Sequence, residues 1–129
     1  KSGTIAYLGT FRSAHYIETL GLDTLSIAHM DLSQADEISA LVFLDDEGFD
    51  WSEDLNKAVN LLRFTNIPAI VSNTDLSYPM DQKQVAIAVG GIADMVESVV
   101  GKRFIRFGKP DAQMFIFALA DLSKTMIIV

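Results

Sequence analysis

The sequence predicts an α/β fold: a Rossmann-like, mainly parallel sheet with flanking helices. Two observations predict it. Short apolar, strand-like runs alternate along the chain with segments whose apolar residues recur at helical spacing. The run "TMIIV" at the end is apolar at every position after its threonine, as a parallel strand buried on both faces is. No internal repeat, low-complexity tract or linker interrupts this alternation.

Taken in order, strands are expected at "TIAYLG" (4–9), "ALVFLD" (40–45), "PAIVSN" (68–73), "QVAIAV" (84–89), "RFIRFG" (103–108) and "TMIIV" (125–129). A short helix over 13–20 should end at Gly21, and residues 23–39 give no clear period. Over 51–64, Trp51, Leu55, Ala58, Val59 and Leu62 share one face, with Asp50 as N-cap and Glu53 as the N3 acid. Over 91–100, Ile92, Met95, Val96 and Val99 form a stripe that stops at Gly101. Over 110–122, Met114, Phe117, Ala118 and Leu122 form another, with Pro110 at the first helical position.

The chain has 129 residues, half of them hydrophobic, which suits one compact domain or one lobe of a larger protein. It has no cysteine, which excludes disulfides and thiolate zinc sites and fits a reducing compartment. A net charge of −7 without a basic cluster argues against nucleic acid as a partner. No apolar run reaches the length of a membrane span and no signal-peptide layout opens the chain, so no membrane partner and a cytoplasmic location are expected. A strand pattern at the very start and an apolar strand at the very end suggest a piece of a longer polypeptide.

In open α/β sheets ligands gather beyond the carboxyl ends of strands, where helix N-termini also point. Four such places carry polar chemistry. In "LVFLDDEGFDW", two carboxylates at i and i+2 could share a magnesium ion, but an acidic loop capping the next helix is the plainer reading. In "IVSNTDLSYP", Asn73 and Asp75 follow a strand, and both residue types also favour turns for local hydrogen-bonding reasons. The pair Gly90-Gly91 could cradle an anion or could allow close strand–helix packing. Lys109, between Gly108 and Pro110, combines a cation with a helix start, an arrangement that attracts phosphate or carboxylate; a surface lysine is the even alternative. His15 and His29 have no spacing partner, and Trp51 is expected in the core.

The ordered segments "ALVFLDDEGFDWSEDLNKAVNLLR", "IPAIVSNTDLSYP", "VGGIADMVESVVGK" and "RFGKPDAQMFIFAL" resemble the haloacid-dehalogenase superfamily. The narrower likeness is to its NagD-type sugar-phosphatase and 4-nitrophenylphosphatase group. It extends over essentially the whole chain. The resemblance implies that residues 1–102 form the α/β cap domain, with the first strand near the core–cap junction. Residues 103–129 would return into the catalytic core. It implies a magnesium-dependent phosphatase that hydrolyses a small phosphorylated substrate through an aspartyl-phosphate. Lys109 matches the lysine that holds nucleophile and phosphate together, and is the implied catalytic residue. Asn73 and Asp75 match the cap's "Asn-x-Asp" loop, and Asp46 matches the acidic cap loop, with Phe49 and Trp51 at its aromatic positions; these are the implied substrate-binding residues. Thr74 stands in place of the usual proline, Ser72 of threonine, and Glu47 where many relatives have arginine. The nucleophile loop and the magnesium ligands would lie outside the chain, so the chain alone should not turn over substrate. Homodimer contacts through the cap are also implied. The alternative from another class is a non-catalytic Rossmann-like domain that binds an anion or nucleotide, or that dimerises.

Overall fold

The computed structural model describes residues 3–107. Strands β1 (Thr4–Leu8), β2 (Thr24–Ser26), β3 (Ile38–Phe43), β4 (Ala69–Val71) and β7 (Ile105–Arg106) form one five-stranded sheet, ordered β2-β1-β3-β4-β7. Every neighbouring pair in it is parallel. Helices α1 (Phe11–Glu18), α2 (Glu53–Phe64) and α3 (Val89–Val100) flank the sheet. A separate antiparallel ribbon pairs β5 (Ser77–Pro79) with β6 (Val85–Ile87). The fold class read from the sequence is the observed one. The segments at 110–122 and 125–129, and Lys109 itself, lie outside the described residues.

Alternation explains the two-faced core. Ala6, Leu8, Leu41, Phe43, Ala69 and Val71 pack on one face with Leu55, Ala58, Leu61 and Leu62 of α2 and Ile92, Ala93 and Val96 of α3. Ile5, Tyr7, Ala40, Val42 and Ile70 point to the other face, where Ala14 and Ile17 of α1 cover them. Burial of both faces requires near-continuous apolar strands, which is why β3 reads "ISALVF". Phe43 stacks on Phe104 at 5.5 Å between ring centroids, closing the core beneath α3.

Several local expectations shift. The helix expected from residue 91 starts at Val89, and α1 starts at Phe11, where the Thr10 hydroxyl accepts from Ser13 N. At α2, Asp50 accepts from Glu53 N (2.7 Å), but the carboxylate that reaches back to Asp50 N is that of Asp54 (2.8 Å), not Glu53. Asp54 is buried while Glu53 is exposed, because the turn at 51–52 rotates the helix start by one position. The same rotation leaves Trp51 at the surface, and Met95 and Val99 are likewise exposed rather than in the core. The run 84–89 does not join the parallel sheet. Val85 and Ile87 stay exposed on the ribbon and Val89 turns inward as the first residue of α3.

The unreadable stretch 23–39 holds β2 and two short 3-10 helices, at Ile27–His29 and Leu32–Glu37. A legible signal was present there: Asp31 and Gln34 form a reciprocal capping box at the start of the second. Lys57 of α2 donates to the carbonyls of Ile27 and Ala28, anchoring the segment after β2.

Strand β7 has only two residues, and its hold on the sheet depends on side chains. Arg106 donates to both oxygens of Glu97 (3.1 and 2.7 Å) and to Asp94 (2.7 Å) on α3. Glu97 also accepts from Phe104 N (2.6 Å). Lys102 donates to the carbonyls of Leu62 and Thr65, capping the C-terminal end of α2 with a cation. The Arg106 hydrogen bonds, then that from Phe104 N, hold the Glu97 carboxyl below its ordinary value of 4.5. A depressed folded-state value means that Glu97 stabilises the fold above about 4.5 and that this contribution disappears as pH falls through the folded value. Glu97→Gln is therefore expected to flatten the acid side of the stability–pH curve while lowering stability at pH 7. Parallel acid limbs in the two proteins, measured by urea unfolding from pH 3 to pH 7, would exclude this role.

Candidate functional site

Because the strands of the main sheet are parallel, the loops that follow β1, β3 and β4 leave from the same edge. That edge carries the polar residues singled out by the sequence. The loop after β1 is Gly9-Thr10, that after β3 runs from Leu44 to Ser52, and that after β4 from Ser72 to Leu76.

The acidic loop divides its work. Asp45 Oδ2 accepts from Thr10 N (2.9 Å) and from the Thr10 hydroxyl (3.1 Å), so this carboxylate sits at the N-terminus of α1. Asp46 Oδ2 accepts from the Tyr78 hydroxyl (3.0 Å), and its carbonyl accepts from Trp51 Nε1 (3.2 Å). The hydrogen bond to Asp46 and the charge of that carboxylate raise the Tyr78 hydroxyl above the ordinary phenol value. Asp45 and Asp46 thus serve different elements. Among the described residues, no group of three or more His, Asp or Glu is placed to hold a metal ion.

On the next loop, Asn73 Oδ1 accepts from Asp75 N (2.7 Å), an Asx turn formed by the first residues after β4. Ser72 Oγ donates to the Phe43 carbonyl (3.0 Å), tying the end of β4 to the end of β3. The glycine pair is accounted for by packing. A Cβ on Gly90 would stand 2.4 Å from the Asp75 carbonyl oxygen, and one on Gly91 would stand 2.7 Å from that of Leu76. The start of α3 presses directly on the Asn73–Leu76 turn and leaves no room for side chains.

The structure therefore gathers Asp46, Asn73 and Asp75 on adjacent loops of one edge. It joins Asp46 to Tyr78, which follows the turn carrying the other two. The sequence reading quoted "SNTDLSYP" without giving Tyr78 a role, and the signal was an aromatic hydroxyl two residues from the turn, opposite an acidic loop. Thr10 was also missed, although a threonine three residues before a serine is a visible cap. Lys109 lies outside the described residues. The chain reaches Phe107 through β7, which runs parallel to β4 and so leaves the sheet at this same edge.

A cleft of about 320 Å³ opens beside these loops, lined by Gly9, Thr10 and Phe11, by Ser26 at the end of β2 with Ala28 and His29 beyond it, and by Gly48 of the acidic loop. Gly9 and Gly48 touch through their backbones, so the first and third loops form one continuous wall.

No family model and no curated protein matches the chain. Among solved structures, a possible sugar phosphatase of the HAD superfamily from Cytophaga hutchinsonii is 56% identical over 97% of this chain, with a TM-score of 0.79. The chain spans 44% of that protein's length. A hypothetical protein from Pyrococcus horikoshii, 19% identical over 92% of this chain, has a TM-score of 0.72. A glycerol phosphate phosphatase from Mycobacterium tuberculosis, solved with calcium, is 20% identical over 93% of this chain with a TM-score of 0.69.

Proposed function

Since the chain belongs to the haloacid-dehalogenase superfamily, we propose that it forms the cap, and the start of the return into the core, of a magnesium-dependent phosphatase. Its substrate would be a small phosphorylated metabolite of the sugar-phosphate kind. The observation that carries this reading is the 56% identity, along 97% of the chain, to a possible sugar phosphatase of that superfamily. The narrower NagD-type assignment rests on the order of the acidic loop, the "SNTDLSYP" loop and "GKP".

In the proposed reaction an aspartate oxygen attacks phosphorus as the bond to the leaving-group oxygen breaks. Water then cleaves the aspartyl-phosphate and releases inorganic phosphate. The nucleophile and the magnesium ligands belong to the part of the relatives' length that this chain does not span. Among the described residues no group of three or more His, Asp or Glu fits a magnesium ion. Lys109 would hold the nucleophilic carboxylate and the phosphate in register. Asp46, Asn73 and Asp75 would face the leaving group from the cap, with Tyr78 fixing the orientation of Asp46. Residues 1–102 would form the cap and 103–129 the return into the core, with β7 pairing with β4 at the junction.

The full-length protein is expected to release phosphate from 4-nitrophenyl phosphate and from a panel of sugar phosphates. Activity should vanish with EDTA and return with magnesium, and residues 1–129 alone should release none. Absence of magnesium-dependent release from every ester tested would refute the phosphatase reading.

A further inference from the structure

We propose that Asp54 is a positioning residue: it holds the acidic loop so that Asp46 faces the leaving group, and Lys57 extends that hold to the segment after β2. The inference rests on the phosphatase reading and deepens it by adding a residue that acts through Asp46.

Burial singles Asp54 out. Among the described residues it is the one charged side chain that is buried, at 3% exposure. A carboxylate taken out of water destabilises the fold unless partners replace the water. Capping α2 does not require one here. Asp50 Oδ1 already accepts from Glu53 N (2.7 Å), and the exposed Glu53 supplies negative charge to the first turn.

The partners of Asp54 lead to the candidate site. Its Oδ2 accepts from Asp50 N (2.8 Å), and its own N donates to the Asp50 carbonyl (2.9 Å). This reciprocal pair fixes the backbone of Asp50 from both sides. Trp51 comes next, and its Nε1 donates to the Asp46 carbonyl (3.2 Å). At the near end of the loop, Leu44 N and Asp45 N donate to the Leu8 carbonyl (2.9 and 3.2 Å). Asp46 therefore lies between two anchored ends, with its carboxylate turned to Tyr78. The far anchor is the one that a substitution at position 54 removes.

Lys57 widens the brace. Its Nζ lies 3.8 Å from Asp54 Oδ1 and donates to the carbonyls of Ile27 (3.3 Å) and Ala28 (3.4 Å). One buried carboxylate thereby links the end of the acidic loop, the first turns of α2 and the cleft wall at Ala28. A loop held in this way need not be ordered when substrate binds, and ordering would otherwise subtract from affinity. Loss of the hold should show in binding rather than in the chemical step.

The test uses the full-length protein with glucose 6-phosphate, glycerol 3-phosphate and 4-nitrophenyl phosphate in magnesium buffer. Asp54→Ala is expected to raise KM about tenfold while kcat stays within about twofold, because the loop meets ground state and transition state alike. Asp46→Asn should raise KM as well, and Asp54→Ala added to it should raise KM by less than about a further twofold. A purely structural residue would not be masked by a change at Asp46. Lys57→Met keeps the aliphatic stem and is expected to raise KM about threefold with the same masking; it serves if thermal unfolding shows that Asp54→Ala does not fold. Unaltered KM in these variants, loss confined to kcat, wild-type KM in Asp46→Asn, or an undiminished further rise in the double variant overturns the positioning role and leaves the phosphatase reading in place. A wild-type protein that hydrolyses none of the three esters overturns the phosphatase reading and this inference with it.

Discussion

Replacing Lys109 by alanine in the full-length protein is expected to lower kcat/KM for the proposed phosphate-ester hydrolysis by about a hundred- to a thousandfold, the loss typical of removing one preorganised charge from a transition state. The chain leaves the sheet after β7 at the edge that carries the Asp46 and Asn73 loops, and Lys109 follows three residues after Arg106. Arg106 fixes that exit by its hydrogen bonds to Glu97 and Asp94 on α3. A phosphoryl group in transfer gains negative charge on its oxygens, and a cation already in place needs no reorganisation to meet it. Lys109→Arg should recover only part of the activity, because a planar fork does not replace a compact ammonium. Steady-state kinetics on 4-nitrophenyl phosphate measures both variants, and near-normal turnover in Lys109→Ala would remove this residue from the mechanism.

Gly90→Ala is expected to destabilise the fold by about 1–3 kcal/mol, as overpacking against an unyielding neighbour does. The added methyl would meet the Asp75 carbonyl oxygen at 2.4 Å and the Thr74 carbonyl carbon at 2.6 Å. Both are backbone atoms, so relief requires moving the Asn73–Leu76 turn or the start of α3. The turn carries Asn73 and Asp75, so KM in the full-length enzyme should rise together with the loss of stability. Gly101→Ala supplies the contrast. Gly101 has φ +78° as the cap of α3 with no atom within 4 Å of its missing Cβ, so only backbone strain of about 1 kcal/mol applies. Urea unfolding compares the two, and a Gly90 variant no less stable than the Gly101 variant would show that the turn gives way.

How much of this was legible in advance depended on how local the cause was. The main strands announced themselves because burial on both faces demands unbroken apolar runs, and α2 because its stripe recurs at 3.6 residues. The run 84–89 misled because its apolar residues are divided between an exposed ribbon and a buried helix start, a division made by the β5–β6 pairing. Trp51 read as core for a related reason: a one-residue rotation at the start of α2, set by Asp54 instead of Glu53, turned it outward. At the candidate site, the sequence marked Asp46, Asn73 and Asp75 and left Thr10 and Tyr78 without a role. The first three sit in recognisable loop motifs. The others gain meaning only from partners 35 and 32 positions away in the chain.

The sequence by itself determined the α/β class, the parallel sheet and the loops on which polar chemistry would lie, because periodicity and turn preference act over a few residues. Only the tertiary structure decided what each loop does. It set Asp45 on the N-terminus of α1, turned Asp46 toward Tyr78, pressed the glycine pair against the Asn73 turn, and opened a cleft at the reversal of the sheet. Those outcomes depend on which strands become neighbours. Strand order in a parallel sheet is fixed by packing between segments distant in sequence, and no local pattern encodes it.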